Sequence, residues 1–273
     1  MLFWEKPDWF DADRRKEQLE QHVRKSRMAR FGIRQMAAEV KHDAVREHFD
    51  RIAGKYDFMN SLLSFGIQHV WKRAAIRMLG LKPGQRVLDV CGGTGDLALG
   101  AAERVGSGGQ VVIYDINWAM LTTGRPKAAK RDLTDRVAWI QGDAEAISFP
   151  DNHFDAAIVG FGIRNVTHLE QAFREMVRVV KPGGKLLCLE FSRPTNPIFR
   201  QLYDIYSFSV MPALGQLLAG SAQSYACLPE TIRMFPLPAE LARRLSDIGL
   251  EQVTYECMTN GIAVAHMGTK PAE

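Results

Sequence analysis

The sequence predicts an α/β fold in which seven strands form a mostly parallel sheet with helices on both faces. From residue 86 to residue 191, apolar strand-like segments alternate with helical segments, which is typical of a parallel sheet. Near the C-terminus, two further strand-like segments flank Asn260-Gly261, a hairpin signal that predicts an antiparallel edge. A glycine-rich turn follows the first strand, where a doubly wound sheet begins a ligand site.

The elements are predicted in the following order. Helices near 42–54 and 66–79 end before the turn Lys82-Pro83-Gly84. Strands follow at 86–91, 111–115, 137–141, 154–160 and 185–191, and helices at 94–104, 118–130 and 168–180 lie between them. The turn Lys181-Pro182-Gly183-Gly184 precedes the fifth strand, and 251–257 and 262–269 form the terminal hairpin.

We predict a polar, helical N-terminal extension over 1–40 and one α/β domain over 41–273, with an apolar cap inserted at about 196–235. The extension contains a charged stretch, for which a solvated extension is favoured over a membrane-surface or partner-binding arm. The cap is rich in aromatic and aliphatic residues and follows the fifth strand, so it is expected to overhang the carboxyl ends of the strands. An apolar cap at this place favours an apolar acceptor molecule.

Composition limits the class of protein. The chain has 273 residues, of which 46% are hydrophobic and 24% are charged, as is usual for a globular protein. A net charge of +4 does not predict nucleic-acid binding. Four isolated cysteines without a C-x-x-C pair favour a reducing cytoplasm, and we predict no metal site. Neither a membrane-spanning run nor a secretion signal is predicted, which also favours the cytoplasm.

The turn after the first strand carries the strongest indication of function. Gly92, Gly93 and Gly95 let the backbone bend sharply and approach a ligand closely. Asp89 and Asp96 flank the turn, where they would repel a pyrophosphate but suit a ligand that carries positive charge. S-adenosylmethionine, with its sulfonium and ammonium groups, is such a ligand.

A dinucleotide is the alternative ligand for the same turn. The spacing Gly93-x-Gly95-x-x-Ala98 also fits the dinucleotide fingerprint. Asp115, at the end of the second strand, is suited to the ribose hydroxyls of either cofactor. A purely structural glycine turn is the third possibility, and the two acids favour S-adenosylmethionine among the three.

Several motifs outside this turn resemble one family. They are Tyr56-Asp-Phe-Met-Asn60 with Ser64 and Trp71, Gly92-Gly-Thr-Gly-Asp96, Phe161-Gly-Ile-Arg-Asn165, the run from Arg178 to Ser192, and Tyr225 with the segment 228–233. Together they resemble the ubiquinone/menaquinone biosynthesis C-methyltransferases from about Phe31 to Lys270. The resemblance implies the class I methyltransferase (Rossmann-like) fold and S-adenosylmethionine-dependent methylation of a prenylated quinol ring carbon. The acceptor would be demethylmenaquinol, 2-polyprenyl-6-methoxy-1,4-benzoquinol or both.

The resemblance also implies cofactor contacts. They fall on Thr94, Asp115, Asp143 and Ala144, beside the turn glycines Gly92, Gly93 and Gly95 and beside Gly160 at the end of the fourth strand. Thr94 would meet the methionine carboxylate, Asp115 the ribose hydroxyls and Asp143 the adenine amino group. For Asp143, a turn or helix cap is the structural alternative, because Gly142-Asp143 is typical of turns.

Two positions depart from the family pattern. Gln68 stands where the family has histidine, and His69 follows it. Since one position on a helix is a rotation of about 100°, His69 is expected to be a surface histidine without the family role. Gly160 stands where a serine is usual, so one hydroxyl contact to the cofactor would be lost or replaced by a backbone group.

The predicted catalytic residues are Arg164, Asn165 and Tyr56. Arginine is always protonated, so Arg164 is expected to stabilise a developing quinolate as a fixed positive charge and not to act as a simple base. Asn165 would orient the ring oxygen, and Tyr56 would complete this network or relay a proton through water. The alternative for Arg164 is a salt bridge that pins its loop. For Glu190, a structural role in which it caps a helix and holds Arg164 or Arg193 is favoured over the role of a site carboxylate.

Further expectations concern the acceptor and the partners. Tyr203, Tyr206, Tyr225 and Arg233 are candidates for an acceptor channel, with a core or lid role as the alternative. A lipid quinol, a quinone-biosynthesis complex or a homodimer, and peripheral contact with the inner face of the membrane are the implied partners. Competing functions are an NAD-dependent reductase, a methyltransferase of another small lipid, and a scaffold that binds S-adenosylmethionine without turnover.

Overall fold

The computed structural model describes residues 28–31, 34–219 and 222–272. Within the extension predicted over 1–40, two strands, Met28–Phe31 (β1) and Arg34–Ala37 (β2), form an antiparallel hairpin. This part was predicted to be helical, and the structure shows that it is not. Residues 1–27 of the predicted extension and the side chain of Tyr225 lie outside the described parts. No helix in these parts of the chain has the length and apolar character needed to cross a bilayer.

Seven strands form the main sheet. They are β3 (Arg86–Val90), β4 (Gln110–Asp115), β5 (Val137–Gln141), β6 (Phe154–Gly160), β7 (Val180–Phe191), β8 (Glu251–Met258) and β9 (Ala263–Thr269). Their order across the sheet is β5-β4-β3-β6-β7-β9-β8. The five strands from β5 to β7 pair in parallel, whereas β9 pairs antiparallel with both β7 and β8. This confirms the predicted fold class, including the antiparallel hairpin at one edge.

Ten helices surround the sheet in the described parts of the chain. They are α1 (Ala38–Ile52), α2 (Tyr56–Leu63), α3 (Gln68–Leu79), α4 (Asp96–Val105), α5 (Trp118–Ala129), α6 (Leu169–Val179), α7 (Pro197–Ile205), α8 (Met211–Ala219), α9 (Ala222–Met234) and α10 (Pro238–Asp247). A π-helical turn, Tyr206–Val210, joins α7 to α8. Helix α2 was not among the predicted elements, and it bears on the site because it starts at Tyr56.

The sheet is buried on both faces, as parallel sheets are. Along β4, Val111 and Ile113 belong to one apolar cluster, and Val112 and Tyr114 belong to the other. Helices α3, α4 and α5 cover the first face, whereas α6 and α10 cover the second. The alternation of side chains along each strand therefore fills two cores at once, which explains why the strands read as continuous apolar runs.

The strand order places the site. Strand β3 has β4 on one side and β6 on the other, so the chain leaves β3 in one direction and later returns to its opposite side. In open α/β sheets a crevice forms at the carboxyl ends of the strands at such a switch point. The predicted turn at 181–184 lies between the pairs Phe154–Val180 and Ala156–Lys185, where the register of β6 and β7 shifts.

Candidate active site

A cavity of about 460 Å³ opens at this switch point. Its volume lies in the usual range of small-molecule sites. The glycine-rich turn and the ends of β4, β5 and β6 form its floor, and α1, α2 and the cap helices α7 to α9 close it from above. Of the predicted cofactor and catalytic residues, only Gly95 does not line the cavity. Those that do are Tyr56, Gly92, Gly93, Thr94, Asp115, Asp143, Ala144, Gly160, Arg164 and Asn165.

Gly92 and Gly95 are required by close packing beneath the turn. A Cβ atom on Gly92 would lie 2.8 Å from Ile113 Cγ2, and one on Gly95 would lie 2.8 Å from Ile113 Cδ1. Gly95 also has a φ of +80° and directly precedes α4. Cys91, which is not glycine, has a φ of +52° as well. A side chain in this region of backbone space is held there by its surroundings, and such residues cluster at functional sites.

Asp115 is fixed to the turn by backbone hydrogen bonds. Its carboxylate accepts from the N–H of Gly93 at 2.8 Å and from the N–H of Asn117 at 2.7 Å. Burial raises the pKa of Asp115 to about 6, although these N–H groups oppose the rise. Each carboxylate oxygen has a second lone pair for a ligand hydroxyl. Asp115 therefore lies at the end of β4 with the capacity to accept further hydrogen bonds from a ligand.

Asp89 is the second buried carboxylate at the turn. Its Oδ2 accepts from the N–H of Ala98 at 3.0 Å and so caps the first turn of α4. Its Oδ1 is buried without a hydrogen-bond partner. Burial raises the pKa of Asp89 to about 8, because nothing nearby neutralises the charge sufficiently. A cationic group in the cavity would favour the ionised form.

Asp96 does not act as the free negative charge that the sequence suggested. It accepts from Lys72 Nζ at 2.7 Å and from Lys127 Nζ at 2.5 Å. Although burial raises the pKa of Asp96, the two lysines outweigh this effect and hold the pKa below its ordinary value. The charge of Asp96 is therefore compensated within the protein, which leaves Asp89 and Asp115 as the carboxylates available to a cationic ligand.

Thr94 belongs to the same network. Its hydroxyl donates to Asp57 Oδ1 at 2.6 Å and accepts from Lys127 Nζ at 3.0 Å. Lys127 also pairs with Asp57 at 2.8 Å. Neither partner was predicted from the sequence. Asp57 lies within the Tyr56–Asn60 motif and could have been found there, whereas Lys127 is a single lysine in the last turn of a helix and carries no distinguishing signal.

Asp143 makes the turn contact that was considered as its structural alternative, and it also lines the cavity. Its Oδ1 accepts from the N–H of Glu145 at 2.8 Å, which is the turn-type contact of the structural alternative. The residue also lines the cavity just beyond β5, beside Ala144, which packs into the core. The turn contact fixes the carboxylate and leaves Oδ2 for a ligand.

The space beside the Cα atom of Gly160 is filled by a neighbouring side chain and does not form an open subsite. A Cβ atom at this position would lie 2.2 Å from Leu97 Cδ1, so Leu97 fills the volume in which the family serine would stand. We therefore expect Gly160→Ser to lower the free energy of unfolding by about 1–3 kcal/mol through overpacking. Urea denaturation of Gly160→Ser in the wild-type and Leu97→Ala backgrounds checks this.

The cost of Gly160→Ser should be smaller in the Leu97→Ala background, because the truncated side chain leaves room for the hydroxymethyl group. An equal cost in both backgrounds would show that Leu97 is not the cause.

Arg164 follows β6 and lines the same cavity. Its Nη1 donates to Glu190 Oε1 at 2.7 Å and to the carbonyl oxygen of Phe161, and its Nε donates to Thr231 Oγ1 at 3.3 Å. The guanidinium lies 5.4 Å from the ring centre of Phe191. Burial raises the pKa of Glu190, and Arg164 opposes the rise. The pinning salt bridge that was considered as the alternative is therefore present.

The salt bridge does not use the whole guanidinium. Among the described residues no group accepts a hydrogen bond from Nη2 of Arg164, and this atom is not among the fully buried polar atoms. Arg164 also lines the cavity. The salt bridge thus orients the guanidinium and leaves one edge for a ligand, so the two alternatives for Arg164 are compatible.

Tyr56 and Asn165 reach the cavity beside Arg164. Burial raises the pKa of the Tyr56 phenol, while Arg164 and Asn60 oppose the rise, so Tyr56 is a proton donor at neutral pH. His48 of α1 also lines the cavity and was missed by the sequence analysis. Burial lowers its pKa to about 4, with further contributions from Arg51 and Arg164. His48 is therefore neutral at pH 7, and a lone histidine on an amphipathic helix gave no signal of this.

The remaining predicted residues are divided between the cavity and the cap. Gln68 is buried and lines the cavity, whereas His69 is exposed, as the rotation between successive helix positions predicts. Tyr203 and Tyr206 line the cavity, and Tyr206 donates to the carbonyl oxygen of Leu63 at 2.8 Å. Arg233 does not line it; it is buried in the cap and pairs with Asp204. Arg233 therefore has the position of a core residue of the cap, which was the alternative to a place in the acceptor channel.

The charges at the turn suit S-adenosylmethionine better than a pyrophosphate. Asp89, Asp115 and Asp143 border the cavity there, and the nearby Lys72 and Lys127 are both engaged by carboxylates of the protein. A dinucleotide pyrophosphate at this turn would lie beside Asp115, whose pKa of about 6 leaves it mostly ionised at pH 7, and both lysines near the turn are already paired. A ligand with ammonium, sulfonium and hydroxyl groups finds acceptors instead.

Comparison with known proteins agrees with this geometry. The ubiE/COQ5 methyltransferase family matches residues 37–270. The protein named ubiquinone/menaquinone biosynthesis C-methyltransferase UbiE of Ectopseudomonas mendocina (strain ymp) is 48% identical over 241 residues, which cover 88% of this chain and 94% of that protein. The protein of the same name from Shewanella oneidensis is 48% identical over 245 residues, which cover 90% and 98%.

Solved structures share the fold at lower sequence identity. The cyclase SpnF superposes with a TM-score of 0.63 at 19% identity, covering 85% of this chain and 97% of that chain. A SAM-dependent methyltransferase from Aquifex aeolicus gives 0.55 at 18% identity, covering 78% and 97%. The predicted methyltransferase activity and its cofactor are thus supported by relatives as well as by the site. The chain belongs to the ubiE/COQ5 methyltransferase family.

Proposed function

We propose that this protein transfers a methyl group from S-adenosylmethionine to a ring carbon of a prenylated quinol. The single observation that carries the proposal is the cavity itself. Its lining brings together the carboxylates Asp89 and Asp115, the guanidinium of Arg164 and apolar side chains of the cap. The names of the relatives with 48% identity point to the same reaction.

The turn would hold the cofactor. Asp115 would accept from the ribose hydroxyls, Asp143 from the adenine amino group, and the region of Thr94 and Asp89 would face the methionine end. S-adenosylmethionine supplies an electrophilic methyl group on a positively charged sulfur. Because this positive charge disappears during transfer, a well-solvated site would stabilise the reactants more than the transition state. The apolar lining from the cap removes that solvation.

Arg164 would stabilise the acceptor. As the quinol hydroxyl loses its proton, negative charge spreads from the oxygen onto the ring carbon that forms the new bond to the methyl group. A guanidinium edge directed at that oxygen stabilises this charge. Asn165 would hold the oxygen in position by a hydrogen bond. After the bond has formed, the ring carbon would lose its proton to water and the oxygen would regain one, so that the products are the methylated quinol, S-adenosylhomocysteine and one proton.

Two groups would handle the hydroxyl proton. His48 is neutral at pH 7 because its pKa is lowered to about 4, so its imidazole can accept a hydrogen bond from the hydroxyl or from a bridging water. Tyr56, with a raised pKa, keeps its own proton and can only relay one. His48→Phe is therefore expected to lower turnover about 10- to 100-fold, measured at pH 7.5 with saturating cofactor, without loss of cofactor binding.

The reaction is tested most directly in cells. In a strain that lacks its own quinone C-methyltransferase, expression of this chain should convert the accumulated demethylated quinones to methylated ones, as read by mass spectrometry. Calorimetry with S-adenosylmethionine and with NADH adds a test of the cofactor alone. Binding of NADH, or unchanged quinones in the rescued strain, would contradict the proposal. The benzoquinol and naphthoquinol products differ in mass, so the same experiment identifies the ring.

A further inference from the structure

We propose that the apolar rim around the cavity inserts into the surface of an anionic lipid bilayer, so that the prenylated acceptor enters the cavity directly from the membrane. The rim consists of two ridges, one on α7 and one on α2, α3 and the loop between them. The proposal depends on the proposed function for the identity of the acceptor. The surface itself is argued from exposure, position and charge.

The first ridge is an unburied apolar stripe on α7. Ile198, Leu202 and Ile205 follow each other at intervals of four and three residues, so they lie on one face of the helix. Ile198 is 72% exposed and Ile205 is 62% exposed, and Leu202 is exposed as well. A helix normally turns such a stripe toward the core. This one turns it toward the solvent.

The second ridge runs from α2 to α3. Phe65 is 78% exposed and Phe58 is 61% exposed, and Val70 on α3 is also exposed. Phe65 contacts the ring of Tyr206, with a distance of 6.0 Å between the ring centres, and this contact joins the second ridge to the cap beside the first. The two ridges therefore meet at this contact, and together they expose several large apolar side chains around it, a feature that marks interaction sites.

The cavity opens between the two ridges. Phe65, Ile67 and Leu202 are exposed to solvent, and the same three residues line the cavity. A side chain can do both only at the mouth. A ligand with a long apolar tail can thus occupy the cavity with its ring while its tail leaves across the rim, which is the arrangement required when the tail stays in a membrane.

The charges around the rim suit anionic lipid headgroups. Arg73 and Arg77 are exposed on α3, three and seven residues after Val70, and so lie on the same helical face. From Tyr56 to Leu79 the only acidic residue is Asp57, and its carboxylate is engaged by Lys127 and Thr94. Apolar groups flanked by arginines are typical of interfacial membrane contact.

A second copy of this chain fits the rim less well. In a twofold dimer the same patch faces itself, so the arginines of one copy would approach those of the other. An anionic bilayer compensates these charges, and a dimer interface does not.

The test is flotation of the full chain with vesicles of phosphatidylcholine alone and with vesicles that also contain phosphatidylglycerol. We expect binding to the anionic vesicles that decreases with salt. The double variant Phe58→Asp/Ile198→Asp should reduce this binding at least about tenfold. Neither residue lines the cavity. Turnover of a short-tailed, water-soluble quinol should therefore be unchanged, whereas turnover of a long-tailed quinol in vesicles should fall with binding.

Two matched variants serve as controls. Tyr255→Asp changes an exposed aromatic residue on the edge strand β8, away from the rim, and should float as the wild type does. Arg73→Glu/Arg77→Glu should weaken binding to anionic vesicles about tenfold or more, and Arg104→Glu/Arg243→Glu, with the same change in net charge on other helices, should not.

The outcomes separate the two proposals. Wild-type turnover of the soluble quinol without vesicle binding would overturn the membrane surface and leave the proposed function intact. Vesicle binding without methylation of any quinol would overturn the function and leave the surface. Equal flotation of the rim variant and the wild type would also overturn the surface. So would concentration-dependent dimerisation that the Phe58→Asp/Ile198→Asp variant abolishes.

Discussion

Replacement of Arg164 by methionine is expected to lower the turnover number about 100- to 1,000-fold while the dissociation constant of S-adenosylmethionine changes by less than about twofold. Arg164 follows β6, which β3 separates from β4 and β5, the strands that position Asp115 and Asp143. Its charge is therefore expected to act on the acceptor and not on the cofactor. Steady-state kinetics with a short-tailed quinol, together with calorimetry of cofactor binding, separate these two effects.

The salt bridge to Glu190 requires a control, because Arg164→Met leaves a buried carboxylate without its partner. Removal of one member of a buried pair costs about 3–5 kcal/mol in stability, although the raised pKa of Glu190 makes protonation easier and lessens this cost. The double variant Arg164→Met/Glu190→Gln removes both charges and should recover stability, as read by thermal denaturation. Its turnover should stay as low as that of the single variant.

A charge-conserving variant sharpens the assignment. Arg164→Lys keeps the positive charge but loses the planar fork that bonds Glu190, Thr231 and the cavity at the same time. We expect intermediate turnover. If Arg164→Met and the wild type turn over equally, or if the Arg164→Met/Glu190→Gln variant regains full activity, Arg164 is a structural residue only.

Local signals explain why most of the fold was predictable from the sequence. The strand 154–160 and the strand 137–141 were predicted with the bounds that the structure has, since each is an apolar run between turn residues. Helix α2 was missed because it is only eight residues long and follows a 3₁₀ turn at Ala53–Lys55, so it shows less than three turns of periodicity. The hairpin at 28–37 was missed because charged residues around it indicated a helix.

The site was less predictable, since its chemistry depends on contacts between distant parts of the chain. The charge of Asp96 is neutralised by Lys72 and Lys127, which are 24 and 31 residues away along the chain. His48 is neutral because burial, together with nearby charges such as Arg164, lowers its pKa. The motifs identified which residues meet at the turn. They did not identify which of the acids keeps its charge available to a ligand.

Asp115→Asn is expected to weaken S-adenosylmethionine binding about 10- to 100-fold, because two hydrogen bonds to a charged acceptor are lost or weakened. The wild-type affinity should also depend on pH. Burial raises the pKa of Asp115 to about 6 in the free protein, and only the ionised carboxylate accepts from both ribose hydroxyls. Affinity should therefore decrease as the pH falls from 7 through 6. Calorimetry from pH 5 to pH 7.5 measures this.

The pH at which the affinity changes, and the response of this change to substitution, distinguish Asp115 from its neighbours. In Asp115→Asn the decrease below pH 6 should disappear, because the amide does not titrate. Asp143→Asn is the matched control: it should weaken binding through the adenine end but keep the decrease near pH 6, since Asp115 is intact. The raised pKa of Asp89, about 8, would add a separate increase in affinity at higher pH, because a cationic ligand favours its ionised form. A wild-type affinity that is flat from pH 5 to pH 7.5, or a decrease that survives in Asp115→Asn, would mean that this carboxylate does not hold the cofactor.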